Sequence, residues 1–171
     1  AVRLFKNKKP VIAAVQGGAI GGGLGLSLVA DFRIGCPESR FSANFSRLGF
    51  HQGFGTTVTL PRVVGPQNAA MMMLTGRRLK GQESFDIGLI DYLVPLNEVR
   101  SKAIELAEEI SEAGPLAVQS IRATIRAGLA EQVEEIVAWE LSEQVRLQST
   151  KDFKEGIKAS LERRKPKFEG S

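Results

Sequence analysis

Cysteine is nearly absent from this sequence, because Cys36 is the single one among 171 residues. One thiol cannot form an internal disulfide, and it cannot supply a cysteine-based zinc cluster. We therefore predict no metal site and a reducing, cytoplasmic location. Cys36 lies in the segment FRIGCPE, where we interpret it as a small buried apolar residue.

Membrane and targeting signals are also lacking. The N-terminal stretch AVRLFKNKKP does not resemble a signal peptide, because its basic residues precede a segment too rich in glycine. Residues 11–30 carry no charge and are long enough to span a bilayer. Only twelve of these twenty residues are apolar beyond glycine, however, and no second such segment follows. We predict that the protein does not enter a membrane.

Charge gives little indication of a partner. The formal net charge is +4 and the pI is near 9.4, which would permit an anionic partner such as nucleic acid. The basic excess lies at the two ends, in RLFKNKK and ERRKPK, and we find no RNP-type aromatic motif. Nucleic-acid binding is therefore the least favoured of three functions that we consider.

Glycine, in contrast, is dense in one stretch, PVIAAVQGGAIGGGLGLSLVAD, with six glycines between Gly17 and Gly25. Neither the Walker A pattern nor the dinucleotide fingerprint fits their spacing. What remains is a strand followed by GGG at the start of a helix. Unpaired backbone N–H groups at such a helix start can bind an anion or stabilise an oxyanion. Tight packing of the strand on the helix is the alternative explanation.

The first 95 residues predict an α/β core. We expect a buried strand over 10–15, a glycine turn, and a helix within GGLGLSLVAD. Further strands are expected in FRIGCPE and SRFSANF, and short helices in GFGTTVTLPRVVG and PQNAAMMMLTG. The second of these helices should begin at Pro66 and end at Gly76. A last short helix should lead to a strand over 90–94.

Residues 96–171 predict a second, helical region. Asn97 can cap the helix EVRSKAIELAEEISEAG, and Pro115 suits the first turn of the next one. A third long helix and a closing helix, LAEQVEEIVAWELSEQVRLQ and KDFKEGIKASLERRKPKF, complete the chain. We expect this region, 96–171, to serve as a cap or an oligomerisation element for the core, 1–95.

The stretch KPVIAAVQGGAIGGGLGLSLVAD resembles the signature of the enoyl-CoA hydratase/isomerase, or crotonase, superfamily. The likeness continues through RFSANFSRLGF, GFGTTVTLPRVVG, MMMLTGRRLKGQESFDIGLIDYLVP and ERRKPKF. It implies a β/β/α spiral core, a C-terminal helical region, and homotrimers that pair into hexamers. It also implies an acyl-CoA thioester as substrate, with coenzyme A part of that substrate and no further cofactor. By position, Gly22 would donate one of two oxyanion N–H groups, with Gly21 beside it.

Two departures from the family stand out. The chain begins at the strand before the glycine turn, so the segment that donates the first oxyanion N–H in relatives is not in this sequence; we expect a fragment, a truncated product, or a part supplied by another chain. The two carboxylates with which a hydratase activates water are also missing, because their positions hold Gly25 and Phe45. A further acid position of some relatives holds Gly53.

His51, the single histidine, is the remaining candidate for proton transfer, with a structural histidine as the alternative. Asn44, Ser46 and Gln52 could position a water or a polar acyl group. Arg163 lies where relatives place a cation near the CoA phosphates, and simple exposure is its alternative explanation.

These residues lead to three functional hypotheses. The first is a hydratase- or isomerase-family enzyme that stabilises a thioester enolate and performs isomerisation, C–C cleavage or thioester hydrolysis, but hydrates poorly. The second is a non-catalytic acyl-CoA binder or scaffold. The third is an RNA-binding relative.

Overall fold

The computed structural model describes residues 2–171. Within them the chain forms, in order, α1 (Val2–Phe5), β1 (Ile12–Val15), β2 (Gly18–Ile20), α2 (Gly22–Ser27), β3 (Phe32–Gly35), β4 (Arg40–Ser42), α3 (Thr56–Thr75), β5 (Leu79–Lys80), α4 (Gly81–Asp86), β6 (Tyr92–Leu93), α5 (Val99–Ser111), α6 (Pro115–Ile125), α7 (Leu129–Gln148) and α8 (Lys151–Leu161). Two short 3-10 helices, Asn44–Leu48 and Leu96–Glu98, precede α3 and α5. Strands and helices are interspersed as far as β6, and only helices follow it.

The strands form two small sheets. One has the order β1-β3-β6 with parallel neighbours, and the other has the order β2-β4-β5, parallel and then antiparallel. The parallel pair β2–β4 places Ile20 opposite Ser42, so the chain leaves both strands on the same side. This register brings the start of α2 next to the 3-10 helix Asn44–Leu48.

The main core lies where α2, α3 and α4 pack onto these strands. Leu24, Phe41, Leu60, Met72 and Leu89 are fully buried there. Burying each such side chain is worth about 1.5–3 kcal/mol. The core therefore fixes α2, whose first residues carry the glycine triplet, against the rest of the fold.

Asp31, between α2 and β3, ties the helical region to the sheet. Its Oδ2 accepts the Val11 N–H at 2.8 Å and the Arg122 Nε–H at 2.8 Å. Its Oδ1 accepts from Arg126 Nη1 at 2.8 Å. Arg122 also donates to the Asn7 carbonyl. One carboxylate thus anchors Arg122 of α6 and Arg126, directly after that helix, beside the start of β1.

Several predicted element boundaries are confirmed. Gly65 leaves the helical conformation inside α3, and Pro66 begins the second half of that helix. Gly76 ends α3 in the left-handed conformation, with φ 56°, and its N–H donates to the Met72 carbonyl. Pro115 occupies the first turn of α6, and Cys36 is fully buried.

Three other predictions are wrong. The glycine turn contains β2, which becomes a strand only by pairing with β4. The strand predicted over 90–94 shortens to β6, because Ile90 is buried in the core instead of lying in the sheet. Asn97 does not cap α5: it lies inside a 3-10 turn, the cap residue is Glu98, and no side chain satisfies the helix start.

In the part of the chain that the structure describes, no helix is both long and apolar enough to cross a membrane.

Candidate functional site

The glycine triplet lies at the start of α2, and two of its three residues are exposed to solvent. Gly21 caps the helix with φ 55°, a conformation that favours glycine, and its N–H donates to the Ser42 carbonyl at 2.9 Å. The N–H groups of Gly22 and Gly23 have no acceptor within residues 2–171. Both residues are exposed, and a Cβ added at either would meet no atom within 4 Å. Two donors at the start of a helix are therefore free for a ligand.

Asn44 and Phe45 lie over Gly21. A Cβ on Gly21 would lie 3.2 Å from Asn44 Oδ1 and 3.6 Å from the Phe45 ring. The β2–β4 register creates this contact, because Asn44 begins the 3-10 helix two residues after Ser42. The surroundings of the turn on this side are one amide and one aromatic ring, and neither group titrates.

Phe54 occupies the space beside Gly25. A Cβ on Gly25 would lie 2.6 Å from Phe54 Cβ and 2.8 Å from its Cγ, closer than real atoms approach. Phe54 has φ 65°, which is uncommon for a residue with a side chain. Phe54 thus leaves no room for a side chain at position 25.

A cavity of about 680 Å³ lies on the other side of the triplet. Its walls include Ala14, Gly23 and Leu26, and Arg3 and Lys6 also line it. The size falls within the range of small-molecule sites, and the walls are mainly apolar. The arrangement suits a ligand that combines an apolar chain with negative charge.

His51 lies in the loop between the 3-10 helix and α3. Its Nδ1 is 2.8 Å from the Gln52 carbonyl oxygen. A carbonyl can only accept, so Nδ1 carries the proton and Nε2 of the neutral ring has a free lone pair. The Gln52 side chain donates to Thr57 Oγ1 at 3.1 Å. The structure records no contact between the His51 ring and Gly21–Gly23; the residue of this loop that contacts α2 is Phe54, beside Gly25.

Comparison with known proteins identifies the family of this chain. The model of the family described as enoyl-CoA hydratase/isomerase matches residues 1–171. The crotonyl-CoA hydratase of Syntrophomonas wolfei is 37% identical over 161 residues. This chain belongs to the enoyl-CoA hydratase/isomerase family. The match covers 94% of this chain and 62% of that relative, so the chain spans about three-fifths of its length.

Solved structures confirm the family fold. An enoyl-CoA hydratase/isomerase from Pseudoalteromonas atlantica superposes with a TM-score of 0.90 at 27% identity, covering 98% of this chain and 68% of the other. An enoyl-CoA hydratase from Mycobacterium avium subsp. paratuberculosis gives 0.91 at 26% identity, covering 98% and 69%. The predicted crotonase-like α/β core with a C-terminal helical region is therefore confirmed.

Two other predicted binding residues, Ser46 and Arg163, have no recorded contact with the glycine turn. The Ser46 hydroxyl is buried, without a described partner, and lies beside Gly76 at the end of α3. Arg163 follows α8 in the left-handed region, with φ 54°, is exposed, and makes no side-chain hydrogen bond or ion pair with any described residue. Of the polar candidates, only Asn44 contacts the glycine turn directly. Their roles stay predictions.

The sequence reasoning missed two polar residues of α7 that contact the His51 loop. Glu140 is almost completely buried and binds Gly55 and Thr57, and Gln144 donates to the His51 carbonyl. A signal existed for both. Glu140 and Gln144 continue the buried face that begins at Val133, at spacings of seven and four residues. A polar residue on the inner face of a helix indicates a specific partner.

Proposed function

We propose that the protein to which this chain belongs binds an acyl-CoA thioester and stabilises its enolate at the Gly22 N–H. The observation that carries the proposal is the pair of unpaired N–H groups at the exposed start of α2. A preorganised N–H at the place where negative charge develops lowers the barrier by several kcal/mol, about 10²- to 10³-fold in rate. Glycine at this position leaves room for the thioester oxygen.

The surroundings of Gly22 favour chemistry other than hydration. Holding and deprotonating a water requires groups that can move protons, and each typically supplies about 10²- to 10⁴-fold. Phe45 and Phe54 occupy this neighbourhood instead. Apolar aromatic rings exclude water, so we propose an isomerisation, or a C–C cleavage that consumes no water, that proceeds through an enolate-like charge.

His51 is the proposed proton-transfer group. Imidazole is the side-chain group that can both take and give a proton near neutral pH. Because Nδ1–H donates to the Gln52 carbonyl, the basic lone pair of the ring is on Nε2. Between Ser39 and Gln82 the chain has no aspartate or glutamate, so no acid in this segment competes for the role.

A second function, acyl-CoA binding without turnover, is favoured by one observation. The side chains next to Gly21 and Gly25, those of Asn44, Phe45 and Phe54, do not titrate, and the structure records no contact of the His51 ring with these glycines. A site of this composition can hold a thioester without changing it.

Hydrogen–deuterium exchange at the acyl α-carbon distinguishes the two functions without knowledge of the final product. The protein is incubated in D2O with a panel of saturated acyl-CoA esters, and the esters are analysed by mass spectrometry. We expect incorporation of deuterium, a loss of about 10²- to 10³-fold in Gly22→Pro, which lacks the N–H, and a smaller effect in Gly22→Ala, which keeps it. Proline is tolerated in the first turn of a helix, so Gly22→Pro should still fold.

Other outcomes would decide against enolate stabilisation. Binding of the esters by calorimetry with no exchange would favour the binder. Rapid hydration of enoyl-CoA esters would contradict the proposed consequence of Gly25 and Phe45. Exchange that is equal in Gly22→Pro and the unmodified protein would place the oxyanion site elsewhere.

A further inference from the structure

Two side chains on one face of α7 form hydrogen bonds with the loop that carries His51. Glu140 and Gln144 are four residues apart, so they project from neighbouring turns of the same side. Glu140 accepts the Gly55 N–H at 2.7 Å, the Thr57 N–H at 3.1 Å and the Thr57 hydroxyl at 2.7 Å. Its side chain is 1% exposed. The carboxylate therefore satisfies donors at the start of α3, a helix of 20 residues.

Gln144 holds the other end of the same loop. Its side-chain amide donates to the His51 carbonyl at 3.1 Å. A Cβ on Gly53 would lie 2.5 Å from Gln144 Nε2, so a side chain at that position would displace the amide. Gly53 thus leaves room for Gln144, and Gln144 fixes the backbone of the histidine itself.

The hydrogen bonds of Glu140 and of Gln144 both affect which ring nitrogen of His51 carries the proton. The ring's Nδ1 faces the Gln52 carbonyl at 2.8 Å. Gln52 is held by its own side chain on Thr57 Oγ1, and that hydroxyl donates to Glu140. Which ring nitrogen of a histidine carries the proton is set by the hydrogen bond of the other nitrogen. If the Gln52 carbonyl were displaced, Nδ1–H would lose its acceptor, and the ring would no longer be held in this tautomer.

A third residue of α7 is electrostatically coupled to the imidazole. The pKa of the Glu143 carboxyl is lowered, mainly by its hydrogen bond with Arg146 and in smaller part by the charge of His51. Glu143 therefore lies within electrostatic range of His51, on the same helix as Glu140 and Gln144.

We propose that Gln144 and Glu140 are positioning residues that hold His51 in the Nδ1–H tautomer, with Nε2 free for the substrate. The proposal deepens the proposed function, since it assigns the control of the proton-transfer group to a helix outside the α/β core. It also gives the helical region a part in the site beyond any role in assembly.

The single histidine makes the test direct. In ¹⁵N-labelled protein above pH 8, the two ring nitrogens of His51 are the only imidazole signals, and their shifts report the tautomer. We expect an Nδ1–H ring in the unmodified protein. Gln144→Met, which keeps the volume but removes the donor, should shift both nitrogens toward the average of two tautomers. Gln148→Met, at the exposed C-terminal end of α7, is the matched control and should leave them unchanged.

Kinetics supply a second readout once an active ester is known. Displacing a catalytic group by about 1 Å can cost about 10²-fold in rate, so Gln144→Met should lower kcat by tenfold or more with little change in KM. Glu140→Gln should act in the same direction, and thermal unfolding reports whether it folds. Ring signals in Gln144→Met identical to those of Gln148→Met would overturn the proposal. A tautomer shift in a protein that shows no α-carbon exchange would support the positioning role while removing the proposed enolate chemistry.

Discussion

Gly25 and Phe54 are in direct contact across 29 positions of the sequence, the bare Cα of the glycine against the ring of the phenylalanine. The contact has two parts. The helix α2 has no side chain at the position, and the loop before α3 adopts φ 65° at Phe54 so that its ring can fill the space. A left-handed residue with a side chain costs about 1–2 kcal/mol. The packing of the ring on Gly25 is what offsets this cost.

The first prediction concerns this contact. Gly25→Glu should destabilise the fold by about 1–3 kcal/mol, because the new Cβ would overlap Phe54 and the charge would be buried. Phe54→Ala should recover part of that loss in the double variant, since it removes the overlapping atoms. Urea denaturation measures both, and Gly23→Ala, which adds a methyl in open space, is the control. Independent, additive effects of the two substitutions would show that the residues do not share one space.

The second prediction concerns Asp31. Its carboxylate neutralises Arg122 and Arg126, whose side chains are 9% and 13% exposed. Asp31→Asn would leave two poorly hydrated guanidinium groups without a counter-charge, so we expect a loss of about 3–5 kcal/mol in the free energy of unfolding. Asp86→Asn, at an exposed helix end, should change it by less than about 0.5 kcal/mol. Equal denaturation midpoints for the two variants would contradict the anchoring role of Asp31.

The elements that the sequence predicted correctly are those set by local chemistry. Pro66 and Gly76 bound the second half of α3 because each acts on its own backbone. β2 could not be predicted, since three residues are too few to show a period and its conformation depends on β4. Asn97 obeys the capping rule in the sequence, but a 3-10 turn holds its backbone in a different conformation.

The features of the candidate site also fall into those set by local sequence and those set by the tertiary fold. The glycine spacing predicted free N–H groups at the start of α2, and the structure has them at Gly22 and Gly23. The closure of the site by Phe54 was not predictable, because it depends on a backbone conformation that a phenylalanine rarely adopts. Glu140 reaches Gly55 across 85 positions, and only the tertiary fold brings them together.

The third prediction is a pH dependence at the end of α8. The Arg164 side chain donates to Glu155, and with the Lys167 N–H it lowers the pKa of that carboxyl to about 2. The unfolded value is about 4.3, so the stabilisation is fully present above that pH and is lost as the pH falls toward 2. Carboxyl ¹³C NMR should give a titration midpoint near 2, and Arg164→Gln should raise it. A midpoint near 4.3 in the unmodified protein would contradict the ion pair.

The fourth prediction concerns Trp139, the single tryptophan, which lies on α7 and is 63% exposed. Ile121 and Ile125 of α6 are 59% and 69% exposed, so both helices present apolar side chains to solvent. The trimer implied by the family resemblance would cover such side chains, because burying apolar surface is what drives association. We therefore expect light scattering to give three or six times the 18.5 kDa chain mass, with tryptophan emission shifting to shorter wavelength as concentration rises. Trp139→Gln should weaken assembly, whereas Gln148→Ala, exposed on the opposite side of the same helix, should not. An oligomer whose emission stays that of a solvated indole would assemble through another face, and a monomer at every concentration would exclude the trimer.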